Sequence, residues 1–224
     1  MSNALRDVLG IALSYLFVFG FIGLATLLMR RHVLPGRATR KVIHIGVSHW
    51  WLIAMFVFDD PWVASVGPVS FILINAAALR FKLLPAMDEG GETWGTVYFP
   101  VALLVLVNLC WRSVLPLWVG GAATLILGWG DGLASLVGER SKGAKLLGGS
   151  KTLAGSAVMF AASFVVALTF TLIFDRRFGS IGPALGVAAV VAAAAAIVEG
   201  ATPLGLDNLT VPATVAALYG LVFA

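Results

Sequence analysis

The chain has almost no cysteine and little charge. Cys110 is the single cysteine among 224 residues, which excludes an intrachain disulfide and a cysteine-built metal site. Charged residues make up 12% of the chain, about half of what a soluble domain carries. There is no internal repeat and no RNA- or DNA-binding motif, so the net charge of +4 does not point to nucleic acid. Basic loops kept on the cytoplasmic side of a membrane explain it better.

Long apolar runs dominate instead. Hydrophobic residues make up 60% of the chain. Candidate spans cover residues 8–29, 42–58, 62–79, 94–111, 114–137, 153–174 and 182–198. The tail 211–224 is apolar but short, and is a candidate for a tilted or half-inserted eighth helix. Each span should be a helix, because a lone segment in lipid must satisfy its own backbone groups. The expected fold is therefore all-α: a polytopic transmembrane bundle of seven or eight spans, one domain over 1–224. The first run follows one Arg and one Asp and has no evident small-residue cleavage site. It reads as a first span, not as a removed signal peptide.

The loops set an orientation. Eleven of the fifteen Lys and Arg residues fall in 30–41, 80–92 and 138–151, which lie on one side. The positive-inside rule puts these loops in the cytoplasm and the N-terminus outside. Arg40, Lys41, His44, Glu92, Asp131, Glu199, Asp207 and Asn208 then gather at the cytoplasmic edge. Polar groups scattered for structural reasons would not choose one side.

These groups are chemically coherent. Ionisable residues at membrane depth are costly and usually functional. Asp131, within Gly128-Trp129-Gly130-Asp131-Gly132, is a hard oxygen ligand for Mg²⁺ or a base for a hydroxyl. The alternative is a carboxylate paired with a lysine. Lys142, Lys145, Gly148, Gly149, Ser150, Lys151 and Thr152 lead into a span. Glycines and hydroxyls ahead of a helix leave N–H groups for an anion, and lysines add charge for phosphate. The loop is not a Walker A motif; the alternative is an ordinary basic loop. Arg40 and His44 share one helix face beside Lys41 and can meet phosphate or a substrate hydroxyl, or merely flank a span. His49, Trp50 and Trp51 read as packing or as the lining of an apolar groove. Glu92 heads the fourth span as a normal N-terminal charge or, less simply, a ligand; Asp88 and Glu89 read as solvated. Glu199, Asp207 and Asn208 sit beside Gly and Pro in what is either a rigid, oxygen-rich ligand loop or a plain polar turn.

The ordered set Arg40-Lys41-x-x-His44, Gly130-Asp131, Gly138, Lys151-Thr152-x-x-Gly155-Ser156, Glu199 and Asp207-Asn208-x-x-x-Pro212 resembles one family. These are the membrane-bound polyprenol, phytol and dolichol kinases, which include CTP-dependent diacylglycerol kinases. The resemblance covers about 40–212 and leaves out the first span. It is greatest in size to the phytol and polyprenol members. It implies transfer of the γ-phosphoryl group of CTP to a membrane isoprenoid alcohol with Mg²⁺ or another divalent cation. It further implies Lys142, Lys145, Lys151 and the 148–152 amides on the CTP phosphates. Asp131 and Asp207 would hold the metal or activate the hydroxyl, with Glu199 and Asn208 fixing metal or nucleotide. Arg40, Lys41 and His44 would complete the phosphate or acceptor side. One departure stands out: family members commonly carry an acid between the lysine and Gly-Ser, where this chain has Leu153-Ala154. The rival enzyme is a cytidylyltransferase releasing pyrophosphate. The rival of another class is a small transporter, which predicts repeats and mid-membrane charges. The expected setting is a bacterial inner membrane with the site on its cytoplasmic side.

Overall fold

The computed structural model describes residues 2–81, 94–141, 151–175, 177 and 180–223. Every regular element among them is helical, as expected: α1 (Asn3–Arg30), α2 (Gly36–Ser48), α3 (Trp50–Val57), α4 (Pro61–Arg80) and α5 (Gly95–Trp111) come first. Then α6 (Leu117–Leu125) runs through a π-helical stretch (Ile126–Asp131) into α7 (Gly132–Gly138). Last come α8 (Leu153–Phe174), α9 (Ile181–Ala201) and α10 (Asp207–Phe223).

Local chemistry sets the helix starts. Asp60 caps α4 by accepting from the Trp62 and Val63 amides, with Pro61 at the first position. Thr152 caps α8, its hydroxyl accepting from Gly155 N–H at 3.1 Å. Pro35 and Pro116 precede α2 and α6. Two expected spans are not uniform helices. The second bends at His49, between α2 and α3. The fifth carries the π-helical stretch, which fits an extra residue into the helix.

Four helices, α1, α4, α8 and α9, are long and apolar enough to cross a membrane, and α5 is a shorter apolar helix. The chain is a membrane protein. Helix α1 leaves Leu16 and Phe19 exposed and buries only Gly10, Ser14, Val18 and Ala25. Such an outer face suits lipid, since lipid tails accept apolar side chains as readily as a core does.

The interior is aromatic and tight. Trp51 is fully buried, donates its indole N–H to the Leu117 carbonyl at 2.9 Å, and lies on Gly120 and Gly121. The tail, expected as a tilted or half-inserted helix, is helical over Asp207–Phe223. Near its end Tyr219 packs edge-on to Trp118 at 5.0 Å and shares a 3.0 Å hydrogen bond with Thr171. At the same end Arg177 donates to the Val222 carbonyl. Helix α10 therefore runs from one end of the bundle to the other.

Candidate active site

The Gly128–Gly132 motif is a packing device that displays Asp131. A Cβ on Gly128 would collide with Ser48, and one on Gly132 with Ile45. A Cβ on Gly130 would collide with Met159. Two glycines thus let α2 approach from one side, and the third admits α8 from the other. The two large residues between them diverge. Trp129 is partly exposed and donates its indole N–H to His49 Nε2 at 3.2 Å. His49 is then the Nδ1–H tautomer, donating to the Ile45 carbonyl at 2.9 Å, and it ties the α2–α3 bend to the π-helical stretch. Asp131 turns inward and is 3% exposed.

Asp131 meets charge on arrival. Lys41 Nζ on α2 donates to its Oδ2 at 2.9 Å, and Ser135, one turn on, donates to Oδ1 at 3.4 Å. His44 Nε2 stands 3.9 Å from Oδ2, too far for a hydrogen bond. That nitrogen is buried without a hydrogen-bond partner among the described residues. Phe99 packs edge-on to the His44 ring at 4.9 Å. A polar atom buried in this way costs stability unless it finds a partner.

Two further carboxylates close on the same point. Glu199 lies near the end of α9 and Asp207 begins α10, both buried. Lys151, just ahead of α8, pairs with Glu199 and reaches Asp207 Oδ2 at 3.3 Å. Burial alone would lower the Lys151 pKa; Glu199 and then Asp207 outweigh it and hold the ammonium above the ordinary lysine range. Asp207 is itself tethered: its Oδ1 accepts from the Asn208 amide N–H at 3.0 Å and from Asn208 Nδ2 at 3.2 Å. Asn208 Nδ2 also donates to the Gly205 carbonyl. Gly205, at φ +76°, makes a left-handed turn whose backbone rests against Gly95 at the start of α5. The first turns of α5, α8 and α10 meet here, and their N-terminal dipoles favour the carboxylates or an anion.

Oxygen atoms of Asp131, Glu199 and Asp207 lie within 4.8 Å of one another. Three carboxylates against two ammonium groups leave one negative charge. Hard oxygen donors at this spacing fit a divalent cation such as Mg²⁺, which binds oxygen at about 2.1 Å, after small side-chain rotations. Beside the trio opens a cleft of about 250 Å³, lined by Ser135, Gly138, Glu139, Lys151, Thr152, Gly155, Ser156 and Glu199. Ser156 Oγ is buried there without a hydrogen-bond partner among the described residues.

Of the residues singled out from sequence, Lys41, His44, Gly130, Asp131, Lys151, Thr152, Glu199, Asp207 and Asn208 converge. Arg40 lies on α2 one turn before His44. Lys142, Lys145, Gly148, Gly149 and Ser150, with Asp88, Glu89 and Glu92, lie outside the described residues. Asp131 is paired with a lysine, which was the alternative read from sequence, and it also belongs to the carboxylate cluster. Asn208 is a tether for Asp207 through its amide donors. Sequence reasoning passed over Ser135 and Glu139. Ser135 carried a usable signal, standing four residues after Asp131 on a helical segment; Glu139 carried none.

Comparison with known proteins returns one group. The chain is 34% identical to "Phytol kinase" of Synechocystis sp. over 216 residues, covering 95% of this chain and 90% of that protein. It is 32% identical to "Probable phytol kinase 2, chloroplastic" of Glycine max, covering 88% and 69%. It is 34% identical to "Probable phytol kinase, chloroplastic" of Zea mays, covering 88% and 70%. No family model matches the chain, and no solved structure matches it significantly. With that identity over nearly its whole length, the chain belongs to the phytol kinase family, phosphotransferases with an alcohol as acceptor.

Proposed function

We propose that this protein transfers the γ-phosphoryl group of CTP to the hydroxyl of phytol or a related isoprenoid alcohol in the membrane. The observation that carries this reading is the buried cluster of Asp131, Glu199 and Asp207, neutralised by Lys41 and Lys151 and open to a cleft at one end of an apolar bundle. The relatives' names supply phytol as acceptor. The motif order that resembles CTP-dependent lipid kinases supplies the donor. Asp131, Glu199 and Asp207 hold Mg²⁺, which, when bound, neutralises phosphate charge.

The chain's own groups do the positioning. Lys151, with the start of α8, holds donor phosphate in the cleft, and Lys142, Lys145 and the 148–150 glycines and serine extend that grip. Lys41 stays on Asp131 and keeps the carboxylate ionised and fixed. Arg40 adds positive charge at the same edge. His44 Nε2, bare and aimed at the cluster, accepts the hydrogen bond of the acceptor hydroxyl and turns its oxygen towards the phosphorus. The isoprenoid tail stays in lipid against the helices, so only the hydroxyl enters the polar end. One domain carries the activity, in a bacterial inner membrane with the site facing cytosolic nucleotide.

The test uses purified protein, Mg²⁺, phytol and CTP labelled in parallel at the α or γ phosphorus. Label in extracted lipid from γ alone is the expected result. Label from α would make the protein a cytidylyltransferase. Label from neither, with phytol, polyprenols and diacylglycerol each tried, would overturn CTP as the phosphoryl donor.

A further inference from the structure

Lys151 stands where a cation would meet the carboxylates. Its ammonium pairs with Glu199 and reaches Asp207, two of the three residues that form the oxygen cluster. A divalent ion bonded to oxygen at about 2.1 Å competes with the ammonium for the same oxygens and repels its charge. The two lysines differ in what they can do about this. Lys41 lies within α2, its side chain 18% exposed, and among the described residues its one ion pair is with Asp131. Lys151 lies outside any helix, 30% exposed, at the wall of the cleft. Its long side chain has somewhere to go.

We infer that Lys151 is a specificity-determining residue: it keeps bare divalent cations out of the cluster and admits one only together with a polyphosphate. The inference rests on the metal-dependent kinase reading above. A polyphosphate in the cleft supplies oxygen acceptors beside Thr152 and the bare Ser156 Oγ. The ammonium exchanges its carboxylates for phosphate, and the freed oxygens of Glu199 and Asp207 accept the cation. With no polyphosphate, the half-buried ammonium would give up both carboxylates for water alone while standing beside a dication, so uptake of the bare cation is disfavoured. Cation and nucleotide therefore bind as mutual requirements, a coupling that must be reciprocal.

Binding of Mn²⁺ to the detergent-purified full chain, followed by electron paramagnetic resonance, tests this without turnover. The wild type should take up Mn²⁺ weakly without nucleotide, whereas Lys151→Met and Lys151→Gln should bind it about tenfold more tightly or better, within the usual range of site coupling. Retention of radiolabelled CTP by the wild type should rise with Mn²⁺. Equal uptake of bare Mn²⁺ by wild type and variants overturns the inference and leaves the metal site standing. Absence of Mn²⁺ binding in every protein, with or without CTP, overturns the metal site and the inference with it. If neither variant folds, the wild type decides: tight uptake of bare Mn²⁺ refutes the exchange, and uptake only with CTP supports it.

Discussion

Asp131 is the carboxylate of the cluster that pairs with Lys41 and accepts from Ser135. Replacing it by Asn keeps the shape and removes the charge that meets Lys41 and that, in the proposed mechanism, would meet a cation. Loss of one such electrostatic group costs about 100-fold or more in turnover, so Asp131→Asn should lower lipid phosphorylation by at least that factor. Size-exclusion elution in detergent should be unchanged, and near-normal activity would remove Asp131 from the mechanism. A second prediction concerns Asp175, at the far end of α8 and outside the spans. Hydrogen bonds from the Arg177 side chain hold its carboxyl below the ordinary range, against the cost of burial. A depressed carboxyl stabilises fully above its unfolded pKa, about 4, and loses that contribution as pH falls through the lower folded value. Asp175→Asn should therefore melt below the wild type at neutral pH, and the gap should close on acidification past that range. Thermal unfolding of the two proteins from neutral to acid pH measures it; a gap independent of pH would refute the linkage. At this scale the sequence named most of the polar cluster in advance, because charge inside apolar helices is conspicuous. It did not show which lysine meets which carboxylate. Lys41 and Asp131 are 90 positions apart, and Lys151 and Glu199 are 48 apart; only helix packing decides those pairs.

The helices carry the site through what they omit. Gly128, Gly130 and Gly132 lack the Cβ atoms that would separate the 126–132 segment from α2 and α8. Gly128→Ala should drive a methyl group into Ser48 and cost about 1–3 kcal/mol, the usual penalty for overpacking. Gly20 offers the contrast, with nothing within 4 Å of its would-be Cβ on the exposed face of α1. Gly20→Ala should be neutral or gain up to about 1 kcal/mol from reduced backbone freedom. Melting temperatures of both variants in one detergent test the pair, and similar losses would show that the motif is not a packing device. The four long apolar helices and the all-helical class were legible from apolar length; among the described residues, the count of seven or eight spans is not matched by helices of that length. The bend at His49 and the π-helical stretch were not, because both follow from side chains on different helices: His49 meets Trp129 across 80 positions.

At the scale of the whole molecule, polarity is divided between the two ends. The carboxylate–lysine cluster occupies one end, and Arg6–Asp59 and Arg177–Asp175 pair at the other. Helix α10 returns the chain to the Arg177 end, where Arg177 holds the Val222 carbonyl. Both chain ends should therefore lie on the same, non-cytoplasmic face. A C-terminal alkaline phosphatase fusion should be active and a C-terminal fluorescent fusion dark in a bacterial host. The reverse pattern would mean that α10 does not cross or that the orientation is inverted.

Sequence alone determined that this is an all-helical membrane protein and named a set of polar residues expected to gather at one edge. Hydrophobic length and loop charge are local properties, written directly in composition and order. The tertiary structure alone decided that Asp131, Glu199 and Asp207 form one oxygen cluster, that Lys41 and Lys151 take different partners in it, and that His44 Nε2 is buried with no hydrogen-bond partner among the described residues. Those facts depend on how closely helices distant in sequence can pack. Three glycines and a left-handed turn at Gly205 set that distance.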